Sequence, residues 1–259
     1  MNPLQRALIE KAGHDHGFEY VLSTTDSAAQ LASARHPAKV LVRLKGSRFA
    51  LTFSAAATAP LNNELARSFP ALVGAEGSFL APDQNALATL LRRAAELAHA
   101  LPNQAMRDFD ASLQQELEQL PDQLKGTEVE RLVRQRVGQQ AFRSAMLDYW
   151  GGTCAVTGIT LPELLRASHA KPWADCASNA ERLDVFNGFL LSAQLDALFD
   201  RFLISFGDEG EILVSSGISP ADKGFLRLDQ PLKLRWVATE HLPYLSYHRE
   251  RFVARCNTF

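Results

Sequence analysis

The sequence predicts a mixed helix-and-sheet protein, α+β, organised as two domains. Three observations carry this. Segments of alternating apolar residues, such as "KVLVRLKGSRFALTFS" (39–54), stand beside segments with apolar residues three and four apart, such as "DQNALATLLRRAAELAHAL" (83–101). A polar helical stretch, "AMRDFDASLQQELEQLPDQLKG" (105–126), broken by Pro121 and Gly126, separates two such mixtures. The 259 residues, 46% of them hydrophobic, are enough for one large domain or two ordinary ones, each with its own core.

In the first mixture, residues 1–104, "FEYVLS" (18–23) is a strand candidate. Residues 39–54 read as a hairpin turning at Lys45, Gly46 and Ser47, and 83–101 as an amphipathic helix stopped by Pro102 and Asn103. We expect a compact α/β module without a catalytic motif. His14 and His16 in "GHDHG" have a spacing that suits a metal, but exposed loop histidines are the commoner explanation of such a pair. Residues 105–126 read as a helical linker with a hinge.

A new domain is expected over 127–259. Its first segment, "TEVERLVRQRVGQQAFRSAMLDYW" (127–150), opens with a capping box formed by Thr127 and Glu130. Its apolar face comprises Val129, Leu132, Val133, Phe142, Ala145, Met146 and Tyr149. Leu164 to His169 then form a short strand, Asn187-Gly188 signals a turn, and 189–192 is a buried strand. Ser192 is placed to cap a short helix carrying Asp196 and Asp200, and "FLISF", "GDEG" and "EILVSS" make a further hairpin.

Composition excludes several classes. No apolar run approaches the roughly 20 residues of a membrane span. The N-terminal stretch lacks the apolar core of a secretion signal. Cys154, Cys176 and Cys256 are odd in number and far apart, which suits neither a disulfide framework nor a zinc knuckle. A cytoplasmic location without membrane contact is the expectation. There is no internal repeat to suggest a solenoid.

A net charge of −2 gives no global attraction to nucleic acid, so any DNA surface must come from local clusters. Arg131, Arg134, Arg136 and Arg143 form one, and His248, Arg249, Arg251 and Arg255 another. Such groups suit phosphate contacts. The first cluster suits equally well a solvated helix face paired with Glu128 and Glu130.

Five blocks occur in order: "CAVTG" (154–158), "ASHAKPW" (167–173), "NGFLL" (187–191), "DALFD" (196–200) and "HR" (248–249). Together they make residues 127–259 resemble the HNH endonuclease family. The resemblance implies a ββα-metal fold and metal-dependent hydrolysis of DNA phosphodiester bonds. His169 would be the general base, suited by an imidazole pKa near 6.5 to take a proton from water. Asn187 would orient the histidine and hold the intervening loop. Asp196 stands where the family has its last, helix-borne metal ligand, here a carboxylate in place of histidine. Ser168 stands where many members carry a further ligand, and Asp200, one helical turn beyond Asp196, is a candidate to complete the set. Oxygen ligands favour Mg²⁺ or Mn²⁺, with Ni²⁺, Co²⁺ or Zn²⁺ as other options. Lys171, Arg131, Arg134, Arg136 and Arg249 are the expected DNA contacts.

By analogy with systems that join a reader to a cutter, the N-terminal module would select the target in restriction or anti-phage defence, or act as a sensor. A homodimer stays open. Two other readings are a degenerate HNH fold that only binds nucleic acid, and a regulatory protein gated by a ligand.

Overall fold

The computed structural model describes residues 1–54, 58–101, 104–124, 126 and 128–257. The chain divides into two compact units, Met1–Gln104 and Ala105–Phe259.

The first unit runs α1 (Pro3–Asp15), β1 (Tyr20–Thr24), β2 (Ala28–Ala32), β3 (Lys39–Lys45), β4 (Arg48–Ser54), α2 (Thr58–Ser68), β5 (Phe79–Ala81) and α3 (Gln84–Ala100). The strands form one sheet in the order β1-β2-β3-β4-β5. Every neighbouring pair is antiparallel, so no crossover helix is needed. The expected hairpin is β3–β4, with Lys45 opposite Arg48 and Gly46 at φ +63° in the turn. Its alternation places Val40, Val42, Leu51 and Phe53 in the core, where Leu87, Leu90, Leu91 and Ala94 of α3 are also buried. Asp83 caps α3, its carboxylate accepting from the Ala86 amide at 2.8 Å.

Strand β2, "AAQLA", gives no β-branched signal, and β5 is only three residues long; both become strands by pairing with β3 and β4. His14 is exposed near the end of α1, where its nearest ionic partner is Asp15, and His16 is the C-cap. Pro102 and Asn103 lie outside the described residues.

The second unit comprises α4 (Gln104–Glu118), α5 (Glu128–Trp150), β6 (Leu165–His169), α6 (Asn179–Arg182), β7 (Gly188–Ser192), α7 (Ala193–Phe199), β8 (Ile204–Phe206), β9 (Ile212–Val214), α8 (Pro220–Phe225) and α9 (Leu242–Cys256). Helix α4 buries Ala105, Phe109 and Leu113, so this stretch packs as part of the unit. Thr127 lies outside the described residues, but Glu130 accepts from the Gly126 amide at 2.6 Å. The buried face of α5 starts only at Val137. Val129 and Leu132, expected inside, are 38% and 55% exposed. Strands β6 and β7 form an antiparallel hairpin that contacts α5 and α7, and β8–β9 is the second expected hairpin. The three cysteines are free, with Cys154 and Cys176 buried.

One buried group ties stability to pH. His36, between β2 and β3, is enclosed by Phe18 and His99, with ring centroids at 4.9 and 5.2 Å. Its Nε2 lies 3.1 Å from the Gly17 carbonyl oxygen, and burial lowers its pKa from 6.5 to about 4. The unfolded chain therefore takes up the proton first as pH falls. This contribution is fully present above pH 6.5 and is lost towards pH 4, by on the order of 3 kcal/mol. Replacing His36 with Leu should flatten the fall of the urea midpoint between those two values. An unchanged slope would assign the acid sensitivity to other groups.

Candidate active site

The centre of the second unit is the β6–β7 hairpin with α7 packed on it. The register pairs Leu165 with Ser192 and His169 with Gly188. The close approach at Gly188 explains the glycine: a Cβ there would collide with the Ser168 carbonyl oxygen. The turn preceding β7 spans Asp184–Asn187, with the Asn187 amide bonded to the Asp184 carbonyl, so Asn-Gly ends this turn instead of forming its middle. Ser192 occupies the N-cap of α7, but its side chain makes no capping bond.

His169 ends β6. Its ring stacks on Phe142 of α5 at 3.7 Å and meets the edge of Trp173 at 5.9 Å. Trp173 in turn sits against Gly138, where any side chain would collide with the indole. The ring makes one hydrogen bond among the described residues, between Nε2 and the Arg182 carbonyl oxygen at 2.8 Å. A carbonyl can only accept, so Nε2 carries the proton and the Nδ1 lone pair is left available. Burial lowers the imidazole to about 4, against a smaller opposing effect of that carbonyl, so the ring is neutral at pH 7.

Asn187 is fully buried and fastens the loop after His169. Its Oδ1 accepts from the Lys171 amide at 2.8 Å, and its Nδ2 donates to the carbonyls of Glu181 (3.1 Å) and Lys171 (3.3 Å) and contacts Cys176 Sγ. Its own carbonyl receives the Ala170 amide at 3.0 Å. Asn187 thus acts on His169 indirectly, by fixing both the backbone next to it and the stretch that presents the Arg182 carbonyl.

Asp196, in α7, accepts a 2.6 Å hydrogen bond from the buried Ser168 hydroxyl. Asp200 follows one turn later, its amide on the Asp196 carbonyl. Burial and then the Asp196 charge raise its carboxyl from 3.8 to about 6, an effect that solvent tempers because the residue is exposed. His169, Asp196 and Asp200 line one cavity of about 520 Å³ together with Arg143, Arg166 and Phe202. Arg143 donates to the carbonyls of Leu165 and Pro162, and Arg166 to those of Glu163 and Leu165. Neither is paired with a carboxylate among the described residues.

The other expected contacts lie elsewhere. Arg131, Arg134 and Arg136 are ion-paired with Glu128, Glu130 and Glu116, and none lines the cavity. Arg143 was grouped with them in sequence, but about 18 Å of helix separates it from Arg131. Lys171 is held by Glu181 at 2.6 Å. Arg249 donates to the Phe206 carbonyl and pairs with Asp208 at 2.7 Å. His248 is stacked on Phe199 at 3.7 Å; its Nε2 faces the Phe199 carbonyl and its Nδ1 the Ser205 hydroxyl, so both nitrogens are used within the fold. Arg166 is the residue that sequence reasoning passed over, since one arginine in a short strand carries no pattern. Its place three residues before His169 is the only hint.

A strand ending on a histidine, an asparagine at the start of its partner and a helix bearing a carboxylate form the ββα arrangement that the five blocks implied. Residues 154–207 match the HNH endonuclease family. The matched span holds four of the blocks, from Cys154 to the α7 helix and β8. His248 and Arg249 fall beyond it but are joined to it through Phe199 and Phe206. The second unit therefore carries an HNH domain, and domains of this family are nucleases acting on nucleic acid, generally with a divalent metal. No curated protein matches the chain.

The donors can be tested against such a metal. No group of three or more His, Cys, Asp or Glu side chains is arranged around one point among the described residues. Two carboxylates one turn apart, close enough for one charge to raise the other's pKa, with a serine hydroxyl beside them, still suit a hard cation. Mg²⁺ characteristically takes one or two carboxylates and fills its remaining positions with water and phosphate oxygens.

Asn187→Ala should remove four polar contacts and leave the carbonyls of Lys171 and Glu181 without this donor. A loss of roughly 2–4 kcal/mol is expected, read as a lowered thermal midpoint. A midpoint equal to wild type would mean that the loop is held by other contacts.

Proposed function

We propose that the HNH domain is a metal-dependent endonuclease that hydrolyses DNA phosphodiester bonds, with His169 as general base. The observation that carries this is the fixed tautomer: the Arg182 carbonyl holds the Nε2 proton, so Nδ1 offers a lone pair to water. His169 lines a cavity that two carboxylates and two arginines also line, and among the described residues neither arginine has a carboxylate partner. Asp196 and Asp200 would hold the divalent ion, with the Ser168 hydroxyl orienting Asp196 or serving as a further oxygen donor. The ion, when bound, would stabilise the charge that develops on the phosphate and the leaving oxygen.

The oxygen donors favour Mg²⁺ or Mn²⁺. Ni²⁺, Co²⁺ or Zn²⁺ would seek an imidazole, and the nitrogen that His169 leaves available is the one it needs as base. Arg143 and Arg166 are the phosphate contacts we assign first, since the guanidinium fork suits a phosphodiester and no carboxylate among the described residues holds either one. Arg131, Arg134, Arg136, Lys171 and Arg249 would have to leave their present acidic partners to take that role. Target selection by the first unit, in restriction or anti-phage defence, is the biological setting we propose. A reading as a binding-only fold is less well supported, because the base, the carboxylates and the arginines all line one cavity.

Plasmid nicking with Mg²⁺ or Mn²⁺, against an EDTA control, tests the activity. His169→Ala should lower the rate by roughly 100-fold or more with the fold unchanged. Asp196→Ala should abolish cleavage and weaken Mn²⁺ binding while sparing DNA binding measured without the ion. A folded His169→Ala protein with full activity would remove the histidine from the mechanism.

The arginine assignment has its own test, the slope of log Kd against log salt. Neutralising Arg143 and Arg166 should flatten it by roughly one counterion per lost contact, whereas neutralising Arg131 and Arg134 should leave it nearly unchanged. The reverse outcome would move the DNA path onto the outer face of α5.

A further inference from the structure

We infer that the cavity receives an unpaired nucleotide, whose base stacks on Phe202. This rests on the nuclease reading and adds the class of substrate. Phe202 is one of three non-glycine residues with positive φ among the described residues, at +54°. The local bonds show why the backbone must be left-handed there. The Phe202 amide bonds the Phe199 carbonyl and the Leu203 amide bonds the Leu198 carbonyl, both at 2.9 Å, which is the Schellman ending of α7. Its left-handed position is the one glycine fills best, and a bulky aromatic side chain adds strain there. The helix ending itself therefore has no use for a phenylalanine, so the ring must be explained by what it reaches.

Phe202 is half-buried, and its ring contact among the described residues is His248, at 4.8 Å and tilted by 47°. His248 is in turn stacked on Phe199. The ring thus rests on a rigid aromatic base, and Phe202 lines the same cavity as His169, Asp196, Asp200, Arg143 and Arg166. The other two aromatic walls are already engaged: Phe142 is covered by His169, and Trp173 is packed against Gly138. A cavity of about 520 Å³ is of the size that takes a small ligand such as one nucleotide. An aromatic platform beside arginines is the arrangement that holds single-stranded nucleic acid, because an unpaired base exposes its face while a paired one keeps it within the stack.

The test compares a fluorescent single-stranded oligonucleotide with a fully paired duplex of the same sequence. Binding is measured by anisotropy in Ca²⁺ and cleavage in Mn²⁺. The full chain should bind and cut the single strand, or a duplex with an unpaired loop, in preference to the perfect duplex. Phe202→Leu keeps apolar cover over His248 and the same backbone burden but loses the π face. It should weaken single-strand binding by roughly tenfold, with little change for the duplex or in the thermal midpoint. Phe202→Tyr should restore binding. The inference is overturned if the leucine variant binds the single strand like wild type, or if it loses both probes equally. It is also overturned if wild type prefers the perfect duplex, an outcome that leaves the nuclease reading standing. If wild type neither binds nor cuts any probe, the nuclease reading fails together with the inference.

Discussion

The second unit depends on the buried side chain of Asn187. One carboxamide satisfies the backbone on both sides of the loop that joins β6 to β7: the Lys171 amide and carbonyl on one, the Glu181 carbonyl on the other. The backbone groups that this buried carboxamide meets would otherwise lose a partner, at a cost of about 1–3 kcal/mol each. Only a side chain with both a donor and an acceptor end can do this, so neither aspartate nor leucine would serve. The histidine chemistry follows from the clamp. With Glu181 tied down, the adjacent Arg182 carbonyl has a fixed place, and that carbonyl determines which nitrogen of His169 bears the proton.

Burial serves two purposes in this unit that have to be kept apart. His169 and His248 are both stacked on a phenylalanine at 3.7 Å and both lowered to about 4. What separates them is the count of satisfied nitrogens. His248 uses both, one against Phe199 and one against Ser205, and so joins α9 to the end of α7 and to β8. His169 uses one. A depressed pKa therefore does not tell the two rings apart, whereas the hydrogen-bond inventory does.

The sequence was most legible where a period or an ordered set of blocks was present. The β3–β4 hairpin and helix α3 follow from alternation and from three-and-four spacing, and the positions of His169, Asn187 and Asp196 follow from the blocks. Strands β2 and β5 were illegible because their strand character comes from their neighbours. The arginines were misleading for a related reason. Arg131, Arg134, Arg136 and Arg143 form one cluster by composition, yet sequence proximity says nothing of which cations are already neutralised. Three of them face glutamates, and the fourth, with Arg166, turns towards the cavity. The Phe202 backbone was beyond sequence reading as well, since phenylalanine gives no sign of a left-handed conformation.

The charge balance now has a physical meaning. A chain of net charge −2 does not attract a polyanion from a distance, so long-range steering is weak and affinity must be local. Inside the cavity the two aspartates work against a phosphate as long as no cation lies between them, and the Asp196 charge adds to burial in raising the Asp200 carboxyl. A divalent ion changes the sign of the site: two carboxylates and one such ion are together neutral, and the two arginines then dominate. Substrate binding and metal binding should therefore reinforce each other, since each supplies charge that the other lacks. A site built this way would discriminate against DNA when metal-free, so its engagement with nucleic acid would be governed by the ion more than by the surface of the fold.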